Sequence, residues 1–565
     1  MSAADHCGCL DLGWKRAALG CGGPRDRKST VSCQEEYGKM ERNLRRVFLV
    51  FLSFYSGKFL FPIGGDNVRK RGDGMAFYFA YDVSSIKKFL FDSLEFKAIV
   101  GASQLVKQFD QSMKEVLSSS QWEKLGKCVF TGGGTGFFEF REKPDQLQEF
   151  LEGEVEKKRQ EFLLGHPVAW VFEEIGSLSF PALPPWFQLD SVGGTGEYAR
   201  LFSRIAISLN RKKQQELEID ESPGWVDASE LCPSCGTRRR LGDQDGFCPV
   251  CLQKVQQGEA YFSRLNQAYP SCTFTFDLNA ISGKEQDQEV GELGVLYGDG
   301  NSMGDIYKGF QSGEAFSSFS EELEGSIQEA VFSALQSQGV KKAAIPILGG
   351  DDMMIILPRK DLFPVLDRLD VSLSQKKVQG HKVTYSFGAA VVPTTLPFYL
   401  IFQIVENELL PEAKTARQKS GKVDQNFISF RYIKATMIEG KREKVFPGEA
   451  GYQVSLPFHR GMDFPEFRKM VKMVKSASQM DLRKTTLQKL WESLSLGAYP
   501  ALLNSFYFLK RNSKLDEQTQ KDFLENVYLP GFSLQGGAGK AMESRFGTFM
   551  ELYDLLGGEK AGGGA

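Results

Sequence analysis

The sequence predicts an α+β protein built from a duplicated βαβ-rich unit and closed by a run of helices. Three observations carry that prediction: two strand–glycine-turn–strand segments, an equal spacing from each back to a strand ending in aspartate, and a mainly helical pattern between Phe464 and Leu556. The more informative hairpin is Ala344–Leu357, where an apolar run enters Gly349-Gly350-Asp351-Asp352 and a second apolar run leaves it. Glycines allow positive φ and a close approach of ligand to backbone. Adjacent aspartates beside two buried-type strands are costly unless a cation offsets them, and divalent ions bound with a nucleotide would do so. An acidic surface turn is the plain alternative, since Asp and Gly are common turn residues.

Upstream, Glu292–Gly304 reads as a strand ending at Asp299, followed by the loop Gly300-Asn301-Ser302-Met303-Gly304 and a helical pattern over Glu314–Gln336. A strand, an acidic tip and a glycine-rich loop before a helix suit a nucleotide phosphate held by backbone N–H groups and metal. Asp299 and Asp351 would come from neighbouring strands and share the metals. Together the two segments suggest a palm-type nucleotidyl transferase or cyclase.

The same order occurs earlier. Phe77–Asp82 is a strand ending in Asp, and a helical stretch with Ile86, Phe89 and Leu90 apolar follows it. Gly101-Ala102-Ser103 opens another helix. Cys128–Phe140 is strand, Gly132-Gly133-Gly134 turn and strand, then come a helix Asp145–Phe162 and a strand His166–Phe172. Asp82 precedes Gly132 by 50 residues (132 − 82), and Asp299 precedes Gly349 by 50 (349 − 299). Both landmarks are displaced by 217 positions (299 − 82 and 349 − 132), which marks an internal duplication. Gly134 and Thr135 then stand where the second copy has Asp351 and Asp352, so the first copy keeps only Asp82. It should supply a wall for an acceptor nucleotide, with the Gly132, Gly133 and Gly134 backbone close to a ligand.

Between the copies lie Cys232-Pro-Ser-Cys235 and Cys248-Pro-Val-Cys251, with twelve residues between the pairs. Four thiolates on two tight turns match a tetrahedral structural zinc site, and two matched pairs disfavour redox chemistry. Arg238, Arg239 and Arg240 in the intervening loop are candidates for phosphate contact or for a solvated loop.

After the acidic hairpin, the pattern predicts a helix over Leu362–Lys376, a strand over Lys382–Val392, one helix over Tyr399–Lys419 and a strand over Asn426–Tyr432. Lys414, near the end of its helix, could neutralise a triphosphate or lie on a solvated face. Helices are expected at Phe464–Ser476, Asp481–Leu496, Ala501–Arg511, Glu517–Tyr528 and Glu543–Leu556. Arg468, Lys469, Lys472, Lys475, Arg483, Lys484 and Lys489 make this region locally basic, suited to a partner or an RNA backbone, or simply to solvent. The Gly557–Ala565 tail is flexible in composition.

Whole-chain properties bound these readings. With 565 residues, 42% hydrophobic and 25% charged, the chain has the composition of a multidomain soluble protein. A net charge of −2 gives no global nucleic-acid signature, so any such contact is local. Ten cysteines in this length do not suggest an oxidised scaffold, and the apolar run Val47–Tyr55 is too short to span a bilayer. A cytoplasmic protein is expected, with residues 1–45 as a poorly ordered leader.

In this order the pieces resemble the large subunit of type III CRISPR effector complexes, the CRISPR polymerase family (Cas ten, Cmr/Csm type). The resemblance runs over roughly residues 75–560 and rests on Tyr81–Ile86, Gly101-Ala102-Ser103, Gly132-Gly133-Gly134, the four cysteines, Asp299–Gly304, Gly349–Asp352, Ser386-Phe387-Gly388 and Ala413-Lys414. It implies two ferredoxin-like palm (nucleotidyl cyclase/polymerase) domains, a zinc-ribbon-containing linker and a helical C-terminal domain. The expected boundaries are 46–190 for the degenerate first palm, 191–270 for the linker, 271–435 for the catalytic palm and 436–565 for the helical domain. Family members sit in a guide-RNA complex with other subunits. On binding target RNA they make a nucleotide second messenger from ATP, usually cyclic oligoadenylate, with magnesium or manganese; a related adenylyl conjugate is a further product class. Asp299, Asp351 and Asp352 would hold the metals. Many members also carry an HD nuclease domain. It needs an adjacent His-Asp pair, which His6, His166, His381 and His459 do not provide, so no such nuclease is expected. The rival readings are a palm-type cyclase outside CRISPR, disfavoured by the cysteine linker and helical C-terminus, and a non-catalytic RNA-binding scaffold, disfavoured by the acidic hairpin.

Overall fold

A computed structural model describes residues 76–175 apart from 119 and 121, 197–216, 230–240, 246–283 and 290–434 apart from 311 and 312. C-terminal to these it describes 444–446, 454–456, 461–479, 484–495, 498–511, 517–528, 542–543 and 545–556. The expected leader, His6, His459, Arg483 and the C-terminal tail lie outside the described residues.

The first palm runs β1 (Ala76–Val83), α1 (Ile86–Phe91), α2 (Phe96–Ser118), β2 (Gly126–Gly132), β3 (Thr135–Phe140), α3 (Asp145–Phe162) and β4 (Val168–Ile175). Its four-stranded sheet has the order β2-β3-β1-β4. Alternate residues of β1, Phe77, Phe79 and Tyr81, enter one core with Leu105 and Phe109 of α2 and Leu147 and Leu151 of α3. The opposite face, Tyr78 and Ala80, is covered by Leu201, Ile205 and Leu209 of α4 (Glu197–Glu216). Next come α5 (Pro249–Ala268), β5 (Thr273–Phe274) and the short α6 (Leu278–Ser282).

The second palm repeats the plan: β6 (Glu292–Gly300), α7 (Met303–Gly309), α8 (Gly313–Ser337), β7 (Lys342–Gly349), β8 (Asp352–Pro358), α9 (Leu362–Gln375) and β11 (Tyr385–Pro393), with the small pair β9 (Lys377–Val378) and β10 (His381–Lys382) before β11. Its sheet order β11-β6-β8-β7 matches the first, extended beyond β11 by β12 (Phe427–Tyr432) and β15 (Met462–Asp463), and beyond β7 by β5. The duplication holds in register. Asp82 pairs with Thr135 and Ala169, and Asp299 pairs with Asp352 and Ser386; every counterpart lies 217 positions on (299 − 82, 352 − 135, 386 − 169). Finer details repeat too: Ser85 and Ser302 both take left-handed φ, 50° and 59°, and Gly133 and Gly350 both have φ of 62°.

Three expectations need correction. Gly101-Ala102-Ser103 lies inside α2, five residues past its start, rather than opening a helix. A Cβ at Gly101 would come within 1.6 Å of the Lys254 carbonyl oxygen, and one at Gly258 within 2.3 Å of the Lys97 carbonyl oxygen. These glycines let α2 and α5 cross backbone to backbone. The single helix expected over Tyr399–Lys419 is three pieces: α10 (Phe398–Phe402), a π-helical turn Gln403–Leu409, and α11 (Leu410–Ser420) beginning at Leu410-Pro411. Pro411 lacks the N–H that would extend the helix regularly, and the wider turn accommodates it. The strand expected at His166 starts at Val168 instead; the Leu164 and Gly165 backbones take positive φ, and His166 turns back with a ring nitrogen 2.5 Å from the Ser84 carbonyl oxygen.

The C-terminal region holds β13 (Lys444–Phe446), β14 (Val454–Leu456), α12 (Phe464–Gln479), α13 (Lys484–Ser495), α14 (Ala498–Arg511), α15 (Glu517–Phe523), β16 (Met542–Glu543) and α16 (Phe546–Leu556). Its apolar residues Phe467, Leu490, Phe549 and Leu552 share one core with the second palm. Gly461 packs on α11: a Cβ there would lie 2.6 Å from the Ala413 Cα. Among the described residues no helix is long and apolar enough to cross a membrane.

Candidate active site and cysteine cluster

The acidic hairpin forms because β7 and β8 are apolar strands joined by two residues, Gly350 and Asp351, with Gly349 pairing Asp352. Gly350 takes the positive φ this turn requires. β6 lies beside β8 with Asp299 directly opposite Asp352, and the Gly300 N–H donates to the Asp351 carbonyl at 3.3 Å. A Cβ at Gly300 would come within 2.4 Å of Met303 Cε and 3.0 Å of Asp351 Cβ, so the loop can close over the hairpin only with glycine there. All three aspartates therefore lie together where the central strands β6 and β8 meet the hairpin turn.

Their electrostatics show what the cluster lacks. Burial, then the charges of Asp351 and Asp299, push the Asp352 carboxyl up to about 8; burial, then Asp299, pushes Asp351 up to about 6. Asp352 Oδ1 is buried without a hydrogen-bond partner. Tyr297, two residues before Asp299 on β6, has its hydroxyl pushed well above its usual range by burial and then by the charge of Asp352. Lys414 of α11 reaches across to Asp299 Oδ1 at 2.6 Å. An orphaned buried carboxylate oxygen among three acids and one lysine fits a divalent cation.

The loop after β6 is fixed from behind. Asn301 is buried; its N–H donates to the Thr384 carbonyl at 2.7 Å, and its Oδ1 accepts from the Ser386 hydroxyl at 2.7 Å. Ser302 holds the left-handed turn that starts α7. Arg417 Nη1 lies 3.4 Å from the Ser302 hydroxyl, its Nη2 donates to the Val423 carbonyl at 3.0 Å, and its Nε is buried without a partner. Arg417 and Tyr297 are additions to the residues the sequence pointed to. Arg417 was findable, because it follows Lys414 by three residues on one helix and so shares its face. Gly304 and Gly350 border open space, whereas Gly349 sits beside Lys107 and Glu324, where the two palms meet.

The first palm is built differently at its tip. Asp82 is paired with Lys213 of α4 at 2.6 Å. Gly133 and Gly134 both take positive φ, 62° and 81°. Gly133 borders open space, Gly132 rests on the Phe130 ring, and a Cβ at Gly134 would press Val83 at 3.1 Å. The helix α4 that reaches Asp82 through Lys213 also touches α7, so one helix links the two tips.

Cys232, Cys235, Cys248 and Cys251 bring their sulfurs within 4.8 Å of one another, with Cys235 and Cys248 at 3.9 Å. Zinc bonded at about 2.3 Å to each thiolate needs sulfurs about 3.8 Å apart, so the four residues can hold a zinc ion. Among the described residues this is the only Cys/His/acid group drawn so close together. Cys232 and Cys235 sit on a tight turn closed by the Gly236 N–H on the Cys232 carbonyl, and Cys248 caps α5 with Cys251 in its first turn. Arg238 does not face a phosphate site: it pairs with Asp92 at 2.6 Å, beside the buried Lys254, which also bonds Asp92 at 2.5 Å. Arg239 lies 3.7 Å from Glu230, and Arg240 is exposed.

The profile of the family described as Cas10/Cmr2, second palm domain, matches residues 292–422, the span from β6 through the end of α11. Residues 292–422 are thus similar to that palm domain. Its fold is similar to a Csm1–Csm4 cassette solved in complex with cA4, at a TM-score of 0.53 and 14% identity over 86% of this chain and 70% of that one. Weaker likenesses are the same cassette in complex with cA3 (TM-score 0.49, 13% identity, 86% and 70% covered) and Csm1 of T. onnurineus (0.48, 14%, 85% and 69%). No curated protein matches the chain. The Cas10/Cmr2 match covers all three aspartates and Lys414.

Proposed function

We propose that this protein is the large subunit of a type III CRISPR RNA-guided effector complex, and that its second palm makes a nucleotide second messenger from ATP once target RNA is bound. The observation that carries the reading is the cluster formed by Asp299 opposite Asp352 with Asp351 beside them, its buried Asp352 Oδ1 left without a partner. The Cas10/Cmr2 match over residues 292–422 supports the family, and the similar cassette pairs Csm1 with Csm4 and cA4.

Asp299, Asp351 and Asp352 would hold magnesium or manganese. A metal held there would supply charge neutralisation for a nucleotidyl transfer in which a 3′-hydroxyl oxygen bonds the α-phosphorus, the bond to pyrophosphate breaks and the hydroxyl proton passes to solvent. The protein's own groups do the rest. Lys414 is the cation nearest the aspartates and moves only a side-chain length to meet a triphosphate. Arg417 stands over Ser302 with an unused Nε for a phosphate oxygen. Asn301, locked by Ser386 and Thr384, keeps the 300–304 backbone in one shape. The first palm, with Gly134 and Thr135 in place of the paired aspartates, provides the wall against which the acceptor nucleotide lies, along Gly132, Gly133 and Gly134. The product is a cyclic oligoadenylate or an adenylyl conjugate. Guide and target RNA act through the assembled complex, and the exposed Lys469, Lys472 and Lys475 of α12 are suited to RNA backbone or a partner subunit. A zinc ion on the four cysteines would be structural.

The test is labelled ATP with manganese, supplied to the protein with and without its RNA-bound complex. A new labelled nucleotide product that disappears in Asp351→Asn/Asp352→Asn is expected. A product unchanged in that variant removes the site, and none under any condition favours a scaffold.

A further inference from the structure

Four positions at the first palm's tip differ from their counterparts in a coordinated way. Tyr81, Asp110, Gly134 and Gly136 correspond to Gly298, Ile327, Asp351 and Met353, by the same register that pairs Tyr81 with Gly136 and Gly298 with Met353. The large residue has changed strands. In the first palm the Tyr81 ring lies over Gly136, where a Cβ would sit 2.1 Å from a ring carbon; in the second, Met353 lies over Gly298, where a Cβ would sit 3.0 Å from Met353 Cγ.

That exchange carries a polar consequence. The Tyr81 hydroxyl donates to Asp110 Oδ1 at 3.0 Å, and the Gly134 N–H donates to Asp110 Oδ2 at 2.8 Å. Asp110 is only 5% exposed, and no cation among the described residues bonds to it. The Val83 N–H donates to the Gly134 carbonyl at 2.8 Å, so the turn residue is held from both sides. In the second palm an isoleucine replaces this carboxylate. A buried acid without a cation is an expensive way to stabilise a fold. It is a direct way to fix one turn, because one oxygen takes the turn's Gly134 N–H while the other is anchored by Tyr81 of β1.

We propose that Asp110 is a positioning residue: with Tyr81 it locks the Gly132–Gly134 turn as the rigid acceptor-side wall of the nucleotide cleft. This rests on the function proposed above. The second palm's hairpin needs carboxylates to hold metal; the first palm's hairpin instead receives a carboxylate from α2 that points at its own backbone.

The test is ATP binding by calorimetry to the full chain in manganese, for wild type, Asp110→Asn, Tyr81→Phe and Asp299→Ala, with hydrogen exchange read at the Gly134 amide. Wild type should bind two ATP. Asp110→Asn should weaken one site about tenfold, the worth of a hydrogen bond to a charged group, and leave the other site and manganese binding unchanged. Tyr81→Phe keeps the ring over Gly136 and should weaken the same site less; it carries the test if Asp110→Asn does not fold. Gly134 exchange should speed up in both variants. Wild-type affinity at both sites in the Asp110 and Tyr81 variants, or an unchanged Gly134 amide, overturns the assignment of Asp110 alone, provided Asp299→Ala loses a site. Wild type that binds no ATP overturns this assignment and the function of the second palm together.

Discussion

Lys107 and Glu324 occupy the same position in the two palm copies, 217 residues apart, and their side chains meet at 2.5 Å. Equivalent residues touch only where a pseudo-twofold axis passes, so the axis relating the palms runs between α2 and α8 at this pair. Lys114 and Glu321, which are not equivalent positions, add a second ion pair between the same two helices at 2.6 Å. Two identical copies would put like charges together on the axis. The divergence to Lys and Glu favours the intramolecular pairing over a symmetric one.

Charge reversal tests that axis. Lys107→Glu or Glu324→Lys alone should lower stability, and the double swap should restore it. Both side chains are substantially exposed, 51% and 34%, so each single effect should stay below about 1 kcal/mol and fade in high salt. Urea unfolding at two salt concentrations reads this.

The tip carboxylates make a prediction in pH. Asp351 and Asp352 are raised to about 6 and about 8 from ordinary values near 3.8. The native state therefore holds more protons than the unfolded chain between pH 4 and 8, and stability declines as pH rises through that window. Without added magnesium or manganese, wild type should lose on the order of 1–2 kcal/mol more than Asp351→Asn/Asp352→Asn between pH 5 and pH 8. Manganese titrated between pH 6 and 8 should release protons from wild type, which the double variant should not do. Chemical unfolding and a proton-release titration check the two halves.

Asymmetry between the palms predicts unequal mutants. Asp82 is already neutralised by Lys213, and Thr135 stands opposite it where the second palm has Asp352. Asp82→Ala should cost a few-fold in rate, whereas Asp299→Ala should cost about a hundredfold or more. Rates at saturating ATP and manganese decide between this and shared catalysis. Copying the acidic pair into the first palm, Gly134→Asp with Thr135→Asp, should not create a second metal site. The 81° φ at Gly134 and the 3.1 Å approach to Val83 would instead destabilise the hairpin by about 1–3 kcal/mol, measurable by thermal unfolding and manganese binding.

The cysteine cluster should contain about one zinc per chain, measured by elemental analysis of protein purified without chelator. Cys232→Ser should cost stability more than chemistry. The loosened region should extend into the first palm, because the Ser234 carbonyl accepts from the Leu94 N–H at 3.0 Å and Arg238 pairs with Asp92. Hydrogen exchange over residues 92–101 should rise in the variant; exchange confined to residues 230–240 would show the knuckle to be mechanically separate.

Much of this molecule was legible in its residues one stretch at a time. Apolar runs on either side of Gly349–Asp352, the 217-residue spacing and the paired C-x-x-C motifs are local patterns, and they sufficed for the two palms, their order, the acidic turn and the four sulfurs. Helix α3 spans Asp145–Phe162 as its pattern says, because its polar and apolar positions alternate with helical period and Pro144 precedes its first turn. What needed the tertiary structure is what depends on residues distant in sequence meeting. Lys414 on Asp299, Asn301 on Ser386, Gly101 on the backbone of α5 and Arg238 on Asp92 have no local signature. Asp110 shows why: in the sequence it is one acid on an amphipathic helix, and only folding buries it between Tyr81 and Gly134, because side-chain partners are selected by packing across strands and helices rather than by neighbours along the chain.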